Sequence, residues 1–83
     1  MSHTPHDLKQ EFPEMRGLMA KLQVSDRHFA NMANDYRVVN LALHRAETNV
    51  EPMGDMFMIE MRKNRMMLKD EIYAYLKAQV TPA

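Results

Sequence analysis

The sequence contains no cysteine, and its two glycines, Gly17 and Gly54, stand far apart. Without cysteine, disulfide bridges and thiolate metal sites are excluded. Isolated glycines cannot build the glycine-rich loop that cradles phosphate groups. The only serines are Ser2 and Ser25, and no pair of acids marks a pocket, so neither nucleophilic nor acid–base catalysis is indicated. We therefore expect a protein that is not an enzyme and has no catalytic residue, metal site or cofactor.

The sequence also lacks an excess of either charge and any long apolar run. Eleven basic residues balance eleven acidic ones, whereas nonspecific nucleic-acid binding needs a net basic field, so nucleic acid is a disfavoured partner. Apolar runs such as 56–59 are far shorter than the roughly 20 residues that span a bilayer. Residues 1–5 lack the basic-then-apolar pattern of a secretory signal. We expect no membrane partner and a cytoplasmic location.

Apolar residues at alternating steps of three and four predict two long amphipathic helices of coiled-coil type, at about 26–48 and 55–79. Ser25 and Asp55 are the expected N-caps. A turn containing Pro52 and Gly54 joins the helices, so they must pack as an antiparallel hairpin. The predicted hairpin core consists of the seam residues of both helices: Phe29, Met32, Tyr36, Val39, Leu43, Met58, Met61, Leu68, Ile72 and Tyr75.

A shorter helical arm is predicted before the hairpin, over residues 5–22. Pro5 can open a helix at its first position. Pro13 disfavours helix at the residue before it, so the arm divides into pieces at 5–12 and 13–22. The expected fold is therefore all-α, with one domain over residues 1–83 that consists of the hairpin and its arm.

Ten methionines in 83 residues are unusual and fit two interpretations, a loosely specified core or an adaptable partner-binding surface. The last helix has more apolar surface than one partner helix can cover. Its predicted interface residues lie outside the seam: Met56, Phe57, Ile59, Met66 and Met67. Because a chain of this size builds a small core, we predict a homodimer that forms a helical bundle. The alternative is a monomer whose arm folds back over the same surface.

Arg65 interrupts the apolar seam of the last helix, and a buried arginine is costly unless it is paired. Asp35 lies at about the same height on the facing helix, so we predict that an Arg65–Asp35 pair sets the register of the hairpin. An alternative hypothesis is a nucleic-acid-associated protein that contacts anions through four bases, Arg62, Lys63, Arg65 and Lys69. Asp70 and Glu71 follow these bases at once and weaken their field.

A further hypothesis is a small-molecule or metal-binding protein. His3 and His6 are three residues apart, a spacing that can ligate zinc when both lie on one helix. No other histidine lies near them in the sequence, and a two-helix hairpin offers no obvious cavity. The sequence therefore predicts no metal ligands.

Residues spread along both helices resemble the YdcH-like family of small bacterial proteins of unknown function. The resemblance covers about residues 13–76 and is carried by His28-Phe29, Tyr36, Glu47, Val50-Glu51-Pro52, Asp55, Arg65 and Leu68-Lys69-Asp70-Glu71-Ile72-Tyr73. It implies a helical hairpin, often self-associating, with no established activity and no catalytic residues to transfer. The chain departs from the family pattern at Met56, Phe57 and Ile59, where relatives tend to carry acidic or polar residues. We expect a small intracellular protein that acts in protein–protein interaction or assembly, with an unidentified protein partner.

Overall fold

The computed structural model describes residues 6–48 and 54–80, and the secondary structure in these ranges is helical throughout. The described residues form four α-helices: α1 (Leu8–Glu11), α2 (Arg16–Ser25), α3 (Arg27–Glu47) and α4 (Asp55–Val80). A 3-10 turn at Pro13–Met15 joins α1 to α2. Helices α3 and α4 pack against each other, and α2 packs on α3. The all-α helical hairpin predicted from the heptad pattern is confirmed.

The caps of the long helices differ from the predicted ones by one residue. Asp26 caps α3, because its carboxylate accepts a hydrogen bond from the amide of Phe29 at 3.1 Å. Its backbone is extended, which lets an N-cap side chain reach the first turn. Ser25 instead ends α2, and its hydroxyl donates to the carbonyl of Lys21 at 2.8 Å. Asp55 is the first residue of α4, since the Gly54 carbonyl already accepts from Met58.

The arm, described from residue 6 to residue 25, contains less helix at its start than predicted. Helix α1 is a single turn, Leu8–Glu11. His6 has a φ of 66°, in the left-handed region, so the right-handed helix cannot extend back to it. Phe12 has a non-helical backbone, as expected for a residue that precedes Pro13. Helix α2 then runs three residues beyond the predicted end, to Ser25.

The main core lies where the arm meets the hairpin, which we call the three-helix end. Three arm residues and five hairpin residues form one buried cluster: Phe12, Met19, Leu22, Phe29, Met32, Tyr36, Ile72 and Leu76. The heptad pattern assigned neither the arm residues nor Leu76 to the core. Leu76 lies outside the strict seam, yet it is fully buried in the cluster that the arm and the hairpin form together.

Near residues 39–46 and 55–61 the described part of the chain has two helices and no third layer, and we call this the two-helix end. Leu43 and Ala46 are buried there. Val39, Met58 and Met61, which the heptad pattern assigned to the core, are half-buried. Leu68 and Tyr75 are half-buried as well, although they pack against the buried cluster of the three-helix end. Two helices shield one narrow stripe from water, so side chains at its edges keep contact with solvent.

Helix α4 is the longest helix in the described ranges, yet neither it nor α3 combines the length and apolar character needed to cross a bilayer.

Candidate functional site

Five large apolar side chains on the first half of α4 are exposed: Met56, Phe57, Ile59, Met66 and Met67. Met56 is 75% exposed, and the other four are about half exposed. They are the residues assigned to an interface from the sequence. The arm does fold back on the hairpin, but it packs at the three-helix end, where Phe12 stacks on Tyr73, and it leaves these five side chains exposed. Nothing in the described part of the chain shields this face of α4.

A polar cluster holds the arm against the hairpin. The Lys69 ammonium pairs with the Glu11 carboxylate at 3.1 Å, and the Tyr36 hydroxyl donates to the carbonyl of His6 at 2.6 Å. Burial would raise the pKa of Glu11, but hydrogen bonding and attraction from Lys69 and His6 outweigh it and lower the pKa from 4.5. Burial, with a smaller contribution from Glu11, raises the pKa of the Tyr36 hydroxyl to about 12. At neutral pH the cluster therefore consists of an ionised Glu11 and a neutral Tyr36.

Arg65 is held by Asn40 and not by Asp35 as predicted. Its guanidinium donates to the side-chain oxygen of Asn40 at 3.1 Å, and Asp35 is exposed. Successive residues of a helix are rotated by roughly 100°, so Asp35, which directly precedes the buried Tyr36, points away from α4. Asn40 lies one turn after Tyr36 on the same face and is 4% exposed. Its position one turn from an aromatic seam residue is a signal that could have identified this partner.

The basic residues of α4 separate into two groups. Arg62, Arg65 and Lys69, at steps of three and four, line a cavity of about 180 Å³ that is completed by His6, Glu11, Tyr36 and Met66. Arg62 also pairs with Glu47 at 3.2 Å. Lys63 is exposed and does not line the cavity. The four bases considered from the sequence therefore do not form one surface.

Asp26 and Tyr75 connect the start of α3 to the last turns of α4. The Tyr75 hydroxyl donates to Asp26, whose other carboxylate oxygen accepts from the Phe29 amide. The Tyr75 bond and then the Phe29 amide lower the pKa of Asp26 from 3.8. The same bond raises the pKa of Tyr75. The cap of α3 is thus also a tertiary contact.

Replacing Asp26 by Asn is expected to lower the thermal midpoint at neutral pH, because a neutral amide replaces the carboxylate that accepts from both Tyr75 and the Phe29 amide. A carboxyl whose pKa is lowered by folding stabilises the protein above its unfolded pKa, and this contribution is lost as the pH falls through the folded pKa. The difference between wild type and Asp26→Asn should therefore shrink as the pH drops below 3.8. Circular dichroism melts across this pH range test it, with Ser25→Ala as the control. If the difference in thermal midpoint between wild type and Asp26→Asn does not change with pH, the Asp26 carboxylate does not stabilise the fold in its ionised form.

No group of three or more histidine, aspartate or glutamate side chains within residues 6–48 and 54–80 is placed to hold a metal ion. His3, one of the two histidines considered from the sequence, lies outside these ranges.

Comparison with known proteins gives one result that bears on identity. No curated protein and no solved structure matches the chain. The family model described as "Protein of unknown function (DUF465)" matches residues 29–76. The match extends from Phe29 to Leu76, so it covers most of α3 and α4 and leaves out the arm. With more than half of its length matched, the chain belongs to this family of YdcH-like proteins of unknown function, as the resemblance predicted.

Proposed function

We propose that the protein is an intracellular helical assembly module that pairs with a second copy of itself through the exposed face of α4. The observation that carries the proposal is the run of five exposed apolar side chains between Met56 and Met67. Contiguous apolar patches on soluble proteins commonly mark interaction sites. The face lies beside the two-helix end, where a second hairpin would supply the layer that the arm supplies at the other end.

The spacing along α4 places four of these side chains on one side of the helix, whereas Phe57, nine residues before Met66, lies on the opposite side from it. Met56, Ile59, Lys63 and Met66 follow one another at steps of three, four and three, which is the repeat of one helical face. Met67 flanks this face. All five side chains are exposed, whereas Ile72 and Leu76 are buried on the side of α4 that meets the rest of the chain. Helix α4 therefore has a packed side and an unpartnered apolar side.

The charges on this face favour a second copy as the occupant. An antiparallel two-fold pairing centred between Met61 and Arg62 sets Met56 against Met67 of the second copy. The same pairing sets Glu60 against Lys63 of the second copy, twice over, because a two-fold interface packs a patch against itself. Glu60 and Lys63 are both exposed. The patch is thus self-complementary in both apolar contacts and charge.

Replacing Met67 by Lys is expected to weaken the dimer at least about tenfold, since it puts a charge into the apolar part of the interface. Sedimentation equilibrium, or light scattering on a size-exclusion column over a range of concentrations, measures this. Val24→Lys is the matched control, because Val24 is exposed on α2 and is not part of the proposed interface on α4. A wild-type protein that is monomeric at high micromolar concentration would refute the proposal.

A charge-reversal series tests the orientation of the pairing. Glu60→Lys alone and Lys63→Glu alone each place like charges across the interface and should weaken the dimer. The double variant restores both cross-interface pairs and should recover the wild-type dissociation constant. It also keeps the spacing of opposite charges within α4, so the stability of the helix itself changes little. If the double variant is as weak as the single variants, the antiparallel register is wrong.

A further inference from the structure

The cavity between the arm and the hairpin contains an arginine whose charge is not balanced by a carboxylate. Arg65 is half-buried, and its guanidinium donates to the neutral amide of Asn40. No carboxylate of the described residues lies within 4 Å of it. Charges withdrawn from water are normally paired, because the loss of hydration is costly. We propose that this cavity binds a small tetrahedral oxyanion of the phosphate class, with Arg65 as its main ligand.

The charge around the cavity supports an anionic ligand. Three cations, Arg62, Arg65 and Lys69, line it against the single carboxylate of Glu11. Glu11 is engaged by Lys69, and Glu47 pairs with Arg62. These two pairs neutralise themselves, which leaves the positive charge of Arg65 in excess. An arginine has five N–H donors in a planar fork, a geometry suited to two oxygens of a phosphate group.

The donors come from one helix face and are held in place by their neighbours. Steps of three and four along α4 bring Arg62, Arg65 and Lys69 to the same side. Contacts with Glu47, Asn40 and Glu11 fix their side chains before any ligand arrives. The Tyr36 hydroxyl already donates to the carbonyl of His6, so Tyr36 lines the cavity but has no free O–H to donate to a ligand. A ligand with several acceptor oxygens can bridge Arg65 and Lys69.

The size of the cavity selects a small group. About 180 Å³, bounded by Met66 and Tyr36 and closed on one side by the arm, accommodates one phosphate group. A nucleic-acid backbone would need a continuous basic stripe, whereas Lys63, the remaining base of this segment, does not line the cavity. The expected ligand is thus a single phosphate group, either free or at the end of a small metabolite.

The test is thermal unfolding of the full chain in increasing inorganic phosphate, with sodium chloride at matched ionic strength as the reference. Wild type should show a saturable rise of the midpoint, as expected for a ligand that binds only the folded state. Arg65→Gln should weaken the apparent affinity at least about tenfold. Arg27→Gln removes the same charge from an exposed position outside the cavity and should behave as wild type. Phosphate also stabilises proteins without binding, and that effect would be unsaturable and equal in all variants.

Two further measurements complete the test. Phosphorus NMR of inorganic phosphate should show line broadening with wild type and not with Arg65→Gln. If Arg65→Gln does not fold, Arg62→Gln replaces it, because the Arg62 side chain is half-exposed and its substitution perturbs the fold less. Met67→Lys should retain the phosphate response even as a monomer, which separates this site from the proposed dimer. Equal midpoint rises in Arg65→Gln and wild type would overturn the proposal. So would binding of a single-stranded oligonucleotide that inorganic phosphate cannot displace.

Discussion

Leu76→Ala is expected to reduce the free energy of unfolding by about 3 kcal/mol, within the range measured for large-to-small changes in cores. Leu76 is fully buried in the cluster formed by the arm and the hairpin. Truncation removes the packing of this side chain within the cluster and leaves a cavity, because helices fixed by other contacts close only in part. In a domain of this size such a loss is a large part of the total stability. Denaturant unfolding followed by circular dichroism measures it.

Val80→Ala is the matched control for this prediction. Val80 lies one turn after Leu76 on the same helix and is 54% exposed. Its truncation should change stability by less than about 0.5 kcal/mol, as is usual at surface positions. If both variants lose the same free energy, the arm does not pack on α4 as described.

Leu22→Asp is expected to detach the arm. Leu22 is buried in the three-helix end, and an unpaired carboxylate cannot remain there without a cost of several kcal/mol, roughly 3–5. The arm can avoid that cost by leaving the hairpin, so the loss of stability should stop at the free energy of arm docking. Detachment would expose Phe29, Tyr36 and Leu76 to water. Amide hydrogen exchange should show α2 losing protection well before the middle of α3 and α4 does.

The control for arm detachment lies on the same helix. Val24 is 87% exposed, two residues after Leu22, so Val24→Asp introduces the same charge without removing a buried side chain. It should leave the protection of α2 near the wild-type level. Unchanged exchange in Leu22→Asp would mean that the arm is held by its polar contacts, chiefly the Lys69–Glu11 pair.

The differences between the predicted and observed contacts have specific physical causes. Ser25 and Asp26 are both good N-cap residues, and the choice depends on which of them has an extended backbone, which a propensity does not reveal. The heptad pattern does not identify Asn40 as the partner of Arg65, because a polar side chain on an amphipathic helix is expected to face solvent. The strict seam excludes Leu76 from the core because it describes contact with one neighbouring helix, whereas this side chain belongs to a cluster that the arm and the hairpin share.

The hairpin itself followed from the sequence alone. Heptad spacing in two segments and a Pro–Gly turn between them leave one compact arrangement for two long amphipathic helices, because each must bury its apolar stripe against the other. The family resemblance and the surplus of apolar residues on α4 are likewise properties of the sequence. Local patterns contain this information because it depends on neighbours three and four residues apart.

The tertiary structure alone decided where the arm packs and which partners Arg65, Tyr36 and Glu11 have. The Lys69–Glu11 pair joins residues 58 positions apart, and the Tyr36–His6 bond joins residues 30 apart. No sequence pattern in the arm or in the hairpin indicates which residues of the other it contacts. Arm docking is decided by the three-dimensional shape of the groove between α3 and α4 and by the few polar groups at its edge. Those contacts join residues that are far apart in the sequence, so no local pattern encodes them.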